Sequence, residues 1–269
     1  MSEIKNMTFL EYRAAPGVNL SRLKMLADSP RKYAVNPSFD NKGMAIGRAT
    51  HTMVLEPEKF WDEYVVCGMR RAGKEWEKFK AANADKQILN ASEMYVIEHI
   101  TEAVRANKTV TEYMSEGQPE QTIFWAHPLG IECKSRVDWL RDDLIMDLKT
   151  ARDVSQRGFG RSAANLEYAA QLAFYHDAAK AADGCDRKAV IVAAENGATF
   201  DVVPYVIPDE AMQAGRARYT DWLLELLKCQ EADRWPGVSE EETELQLPNW
   251  YFSEMDDAVL TIGGIKVSV

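Results

Sequence analysis

Between Ile131 and Tyr175 the chain carries Glu132, Asp138, Asp147, Lys149, Gln171 and Tyr175 at spacings that chemistry can use. In an extended strand alternate side chains share a face. Glu132, Lys134, Arg136 and Asp138 are therefore expected on one side, and Ile131, Cys133, Ser135 and Val137 on the other. After a turn over Trp139–Asp143, Leu144–Leu148 is apolar enough for a central strand, yet Asp147 and Lys149 interrupt it two residues apart. Pairing the two strands as a hairpin brings Asp138 and Asp147 together with Lys149 beside them, where unpaired charge is costly.

Two convergent carboxylates repel each other unless a cation keeps both ionised, and a hard divalent ion with oxygen ligands does this. Such an ion polarises a phosphoryl oxygen and lowers the pKa of an attacking water. A neighbouring lysine then neutralises the charge that develops on phosphorus. The chemistry implied is phosphodiester hydrolysis. For an isolated D-x-K the preferred reading is a solvated surface hairpin, so the case rests on what surrounds it.

Glu167–Ala182 reads as an Ala-rich helix on which Glu167, Gln171 and Tyr175 recur every four residues, giving a polar stripe where a packed helix is usually apolar. Its bland alternative is a helix with Gln and Tyr at the core boundary. Gly43–Leu55 is a second candidate helix, rich in small residues, with His51 among apolar neighbours. Most such histidines are core residues. Together with the acidic hairpin, His51 becomes a candidate metal ligand through its neutral imidazole.

Taken together, His51, Asp138, Asp147-Leu148-Lys149, and Gln171 with Tyr175 resemble the RecB-like branch of the PD-(D/E)xK nuclease superfamily. In character they are most like the C-terminal nuclease domain of the phage exonuclease VIII (RecE-like) type. The supporting phrases are SRLKMLADSPRKY, AIGRATHTMVLEP, FWAHPLGIECKSRVDWL, IMDLKTA and YAAQLAFYHDAA, which span roughly residues 20–180. The resemblance implies metal binding by His51, Asp138, Asp147 and the carbonyl of Leu148, with Lys149 as catalytic lysine. It also implies that Gln171 and Tyr175 organise the site and hold DNA. Val137 stands where the superfamily motif has proline, and Asp147 where glutamate is more frequent; both variants occur in this branch. Glu120 and Glu132 are candidates for a further carboxylate, although Glu120, just before an expected strand at Gln121–Ala126, also reads as solvated.

The resemblance further implies a Mg²⁺-dependent exonuclease, with Mn²⁺ as substitute and one or two ions per site. It would degrade one strand of linear double-stranded DNA 5′ to 3′, leaving 3′ overhangs for phage-type recombination. Relatives of this type form ring-like homo-oligomers around DNA and act with a single-strand annealing protein. Other classes to weigh are a noncatalytic DNA-binding or interaction module on the same fold, and a sequence-specific endonuclease, for which no base-reading segment is evident.

The expected architecture is α/β, a mixed central sheet flanked by helices with a restriction-endonuclease-like core. A single nuclease domain is expected over residues 1–230, made of a helical N-terminal part (1–116) and a catalytic sheet core (117–230). An acidic tail follows over 231–269. Helices are expected at Leu20–Val35, broken at Pro30, and at Gly43–Leu55, Lys74–Asp85, Ser92–Asn107 and Asp209–Gln230. Strands are expected around Tyr64–Cys67 and at Gln121–Ala126, Ile131–Leu140, Leu144–Lys149, Lys188–Ala194 and Phe200–Val206.

The net charge of −10 speaks against a phosphate-backbone partner until its distribution is considered. Glu231–Asp257 holds nine of the 42 acids and one of the 32 bases, so the rest of the chain is near neutral. Bases gather at Arg70, Arg71 and Lys74 beside Trp76, and at Lys134, Arg136, Arg152, Arg157 and Arg161. These are candidate DNA contacts, with Trp76 offering a stacking surface. A solvated amphipathic helix with Trp76 and Phe79 on its apolar side is the plainer account of the first group. Cys67, Cys133, Cys185 and Cys229 show no C-x-x-C spacing, which suggests free thiols. The close-set C-terminal cysteines that hold an iron–sulfur cluster in some RecB-like relatives are absent, so no cluster is expected. No apolar run approaches a membrane-spanning length and MSEIKNMTFLEYR lacks signal-peptide regions, so a cytoplasmic location in a bacterial or phage-infected cell is expected, with no membrane partner.

Overall fold

The computed structural model describes residues 2–37, 42–247, 259–262 and 265–268. The N-terminal third contains β1 (Glu3–Asn6), α1 (Phe9–Ala14), α2 (Leu20–Leu23), α3 (Met25–Asp28), α4 (Pro30–Val35) and α5 (Lys42–Leu55). Next come a 3-10 turn at Pro57–Lys59, α6 (Phe60–Glu63), β2 (Tyr64–Cys67), α7 (Gly73–Ala82), β3 (Gln87–Asn90), α8 (Ala91–Ala106) and α9 (Lys108–Tyr113). The sheet core follows as β4 (Gln118–Ala126), β5 (Glu132–Leu140), β6 (Leu144–Ala151), α10 (Gln156–Asn165), α11 (Tyr168–Asp183), β7 (Lys188–Glu195), β8 (Val202–Val206) and α12 (Asp209–Ala232). A separate antiparallel pair, β9 (Val259–Ile262) with β10 (Ile265–Ser268), ends the chain.

The main sheet has six strands in the order β1-β4-β5-β6-β7-β8. Only β6 and β7 are parallel; the crossover between them carries α10 and α11. These two strands are nearly continuous apolar runs because both of their faces are covered. On one side Ile145, Ile191 and Ala193 meet α11, α12 and the short helices α2–α4. On the other, Met146, Leu148, Val190 and Val192 meet α5, α8 and α9. The result is the expected mixed α/β sheet flanked by helices. Asn90 and Glu93 form a reciprocal capping box that starts α8 at Ala91, one residue before the expected start at Ser92.

Three departures from the sequence reading matter for the site. Residues 3–6 are not part of a helical N-terminal region but an edge strand, paired antiparallel with β4. The turn between β5 and β6 covers Arg141–Asp143 alone, because Trp139 and Leu140 pair with Met146 and Ile145. Strict alternation also fails in β5. Cys133 and Val137 belong to the α11 side, but so does Leu140, while Trp139 joins the α8 side. The shift of phase falls at Asp138, which the β4–β5 register sets opposite Glu120, whose φ is +51°. A non-glycine residue in the left-handed region costs roughly 1–3 kcal/mol and persists where surrounding structure enforces it, commonly at functional sites.

Just after α12, the acidic segment meets α4 at Trp235–Gly237. Trp235 stacks on Tyr33 at 5.6 Å, and the Arg31 N–H donates to the Pro236 carbonyl. Trp250, Tyr251 and Phe252 lie outside the described residues. Among those described, no helix is long and apolar enough to cross a membrane, and the four cysteines are free thiols.

Candidate active site

The β5–β6 ladder stops after Trp139↔Met146. One step further, the same register would oppose Asp138 and Asp147, and there the strands part. The Leu148 N–H donates to Asp138 Oδ2 at 2.8 Å, so a side-chain oxygen takes the place of a ladder carbonyl. Mutual repulsion of two buried carboxylates is reason enough for a fork at this level. The fork lets residues from both helical layers meet through the sheet: His51 from α5 on one side, Gln171 and Tyr175 from α11 on the other.

Two subsites result. Around Asp138, the imidazole of His51 lies with Nδ1 3.4 Å from Asp138 Oδ2. Ligand atoms of His51, Glu120 and Asp138 all fall within 4.8 Å of one another. Around Asp147, which is 1% exposed, Lys149 Nζ sits 2.5 Å from Oδ2 and Gln171 Nε2 donates to Oδ1 at 2.9 Å. The same Gln171 amide nitrogen reaches the Tyr175 hydroxyl at 3.1 Å, as the four-residue helical spacing allows. Lys149 lies 5.2 Å from the Tyr168 ring centroid.

The electrostatics follow from burial. Asp138 is pushed up to about 7, first by burial and then by Asp147, against the pull of Lys149 and the Leu148 N–H. Glu120 is likewise pushed up to about 7, by burial and then by Asp138, with Arg136 opposing. His51 is held below its usual value by burial and by Lys149, which favours the neutral, ligating imidazole. Burial alone would lower Lys149, but Asp147 and Asp138 outweigh it and the net displacement is upward, so the ammonium is retained.

One imidazole nitrogen and two carboxylates, crowded and under-compensated, are a donor set that fits a hard divalent cation. His51, Glu120 and Asp138 would hold it. Asp147 lies beside them and has its two oxygens engaged by Lys149 and Gln171.

The structure thus brings together His51, Asp138, Asp147, Leu148, Lys149, Gln171 and Tyr175. It corrects the reading of Glu120 as solvated. Arg136 donates through Nε to Glu120 Oε2 and through a terminal nitrogen to the Met7 carbonyl at 2.7 Å, which fixes the carboxylate facing Asp138. Glu132 is exposed and takes no part. Once the turn at residues 127–131 sets β4 against β5, Glu120 falls opposite Asp138; that register was the available signal.

Two of the candidate DNA contacts are also corrected. Lys134 is 3% exposed, and its Nζ caps the end of α1 by donating to the carbonyls of Tyr12 at 2.8 Å and Ala15 at 2.5 Å. Arg136 is committed to Glu120 and Met7. Neither is free for phosphate. Arg70, Arg71 and Lys74 are exposed in the corner formed by α7 and β3, where Arg71 donates to the Ile88 carbonyl and lies 5.7 Å from the Trp76 ring. Trp76 stacks with Phe79. Arg152, Arg157 and Arg161 are exposed beyond the end of β6. No sequence signal marked Tyr12, whose hydroxyl burial holds in the phenol form, or Tyr168.

Gln171→Ala should lower cleavage about 10- to 100-fold, because Asp147 would lose the amide that orients it toward Lys149. The melting temperature should fall as well, since a buried carboxylate oxygen left without its donor costs about 1–3 kcal/mol. Rates and thermal melts of the same preparation check both.

Of the solved structures, a candidate exonuclease from Eubacterium rectale superposes with a TM-score of 0.63 at 15% identity, covering 95% of this chain and 100% of that one. At that identity the likeness is one of fold. The structure of SSO0001 covers 77% of this chain and 85% of its own at 12% identity, with a TM-score of 0.29, too low to support any argument. No curated protein sequence matches the chain. Residues 20–246 match the family described as "PDDEXK-like domain of unknown function (DUF3799)". That span holds the fork, the acids facing across it, Lys149 and the α11 pair, and the chain belongs to this PDDEXK-like family, a branch of the PD-(D/E)xK nucleases.

Proposed function

We propose that this protein is a divalent-cation-dependent deoxyribonuclease that degrades one strand of linear duplex DNA from its 5′ end. The observation that carries the hydrolytic reading is the fork itself: Asp138 with His51 and Glu120 on one side, and Asp147 bearing Lys149 on the other. Bound by the first group, Mg²⁺ or Mn²⁺ would polarise the scissile phosphoryl oxygen and acidify the attacking water. The chain's own residues supply the rest. Lys149, held as an ammonium by Asp147, neutralises charge developing on the phosphoryl group. Gln171 keeps Asp147 aimed, and Arg136 does the same for Glu120.

End-directed attack, 5′ polarity and a role in recombination are supported by the resemblance of the DLK and Q-x-x-x-Y motifs to exonuclease VIII-type nucleases. The same resemblance supports a ring of copies enclosing DNA and a single-strand annealing partner. In such a ring only the channel needs positive potential, which accommodates a net charge of −10.

The test is incubation of linear duplex labelled at either end, with and without Mg²⁺, beside a closed circular control. Mg²⁺-dependent release from the 5′-labelled strand with an intact circle is expected. Cutting of the circle would make the protein an endonuclease. Silence with every divalent cation, despite DNA binding, would leave a noncatalytic module.

A further inference from the structure

The side chain of Lys24, at the C-terminal end of α2, reaches the corner between α10 and α11. There its Nζ donates to the Leu166 carbonyl at 2.7 Å and lies 6.0 Å from the Tyr168 ring centroid. Lys149 lies 5.2 Å from the same centroid. Two ammonium groups therefore lie close to one aromatic ring. Lys149 has Asp147 as counter-ion, whereas Lys24 makes no ion pair among the described residues. Burial pulls Lys24 down to about 8, and Lys149 pulls the same way, with Asp147 and Glu167 opposing.

Lys24 is half-buried, and of the described residues only the Leu166 carbonyl accepts from its ammonium, which leaves donor capacity for an incoming anion. The corner itself is favourable to anions. Glu167 adopts φ +56° and α11 begins there with no side-chain cap, so its first N–H groups add the positive end of a 16-residue helix. Glu167 turns its carboxylate to Arg218 at 2.9 Å.

We propose that Lys24 binds a backbone phosphate of the substrate strand other than the phosphate being cleaved, so that this site takes a polymeric nucleic acid rather than an isolated phosphodiester. The proposal rests on the nuclease reading of the neighbouring site. Lys24 would leave the Leu166 carbonyl for the phosphate, while Lys149 serves the scissile group.

The test uses the full chain, a fluorescent duplex oligonucleotide in EDTA for equilibrium binding, and Mg²⁺ for kinetics. Lys24→Met should raise Kd roughly tenfold at low salt. It should reduce the slope of log affinity against log salt by about 0.9, the signature of one lost phosphate contact. KM should rise with kcat little changed, and Lys24→Arg should restore most of both; thermal melts show that the variants are folded. Duplexes carrying a single uncharged methylphosphonate, and duplexes with 5′-phosphate or 5′-hydroxyl ends, identify whether the phosphate is internal or terminal. At the position Lys24 meets, wild type and Lys24→Met should become indistinguishable. An unchanged Kd and salt slope in Lys24→Met overturns the proposal. Wild type that binds but never cuts, with the Lys24 effects intact, overturns the nuclease reading and upholds this contact; wild type that neither binds nor cuts DNA overturns both.

Discussion

Lys149→Ala should lower DNA cleavage on the order of a thousandfold, about 4 kcal/mol of transition-state stabilisation. The ammonium is held beside Asp147, raised above its usual pKa by Asp147 and Asp138, and is not one of the clustered ligand atoms around Asp138. Its removal should therefore leave cation affinity nearly intact while the rate collapses. A second effect follows from burial. Asp147 is 1% exposed, and without Lys149 its carboxylate keeps only the Gln171 amide. Breaking one partner out of a buried pair commonly costs about 3–5 kcal/mol, so the variant should melt lower without divalent cation. Added Mg²⁺, whose charge offsets the acid left without its ammonium, should recover part of the loss. Cleavage measured well below the melting transition separates the two effects. Undiminished cleavage by the purified variant would remove Lys149 from the chemistry.

Much of this site was legible because its parts are local. Asp138 and Asp147 stand on either side of one tight turn, so hairpin register alone opposes them. Asp147 and Lys149 share a strand face, and Gln171 and Tyr175 share a helix face, by the periods of strand and helix. What escaped reading is tertiary. Glu120 became a partner of Asp138 through a phase shift that alternation does not foresee, and Arg136 holds it only because the Met7 carbonyl is brought near by β1. Lys134 looked like a DNA contact because it is a base two positions from Arg136. Its true role required knowing that residues 9–14 form a helix whose end needs capping. The helix α10 was also missed; with two glycines, two arginines, two amides and a serine in ten residues, Phe159 is its one large apolar side chain.

Asp138→Asn should remove most cation binding and at the same time make the cation-free protein more stable above neutral pH. The second part follows from proton linkage. Asp138 and Glu120 are both pushed up to about 7 in the fold, by burial first and then by the neighbouring carboxylate; unfolded, they titrate near 4. Between about pH 4 and 7 the folded form thus binds more protons than the unfolded one, and stability falls as pH rises through this window, then levels off. The total is on the order of 4 kcal/mol for each group taken singly. Asparagine at 138 cannot ionise, and it also relieves Glu120, so the decline of apo melting temperature with pH should flatten. The cation should act with the opposite sign. It competes with the same protons, so the rise in melting temperature on adding Mg²⁺ or Mn²⁺ to wild type should grow from pH 5 to pH 8, and in Asp138→Asn it should largely vanish. Calorimetric titration and thermal melts across pH read both effects. Unchanged cation affinity in Asp138→Asn would mean that the ion is held elsewhere. A wild-type apo protein whose stability rises from pH 4 to 7 would mean that the carboxylates at the fork are not crowded in solution.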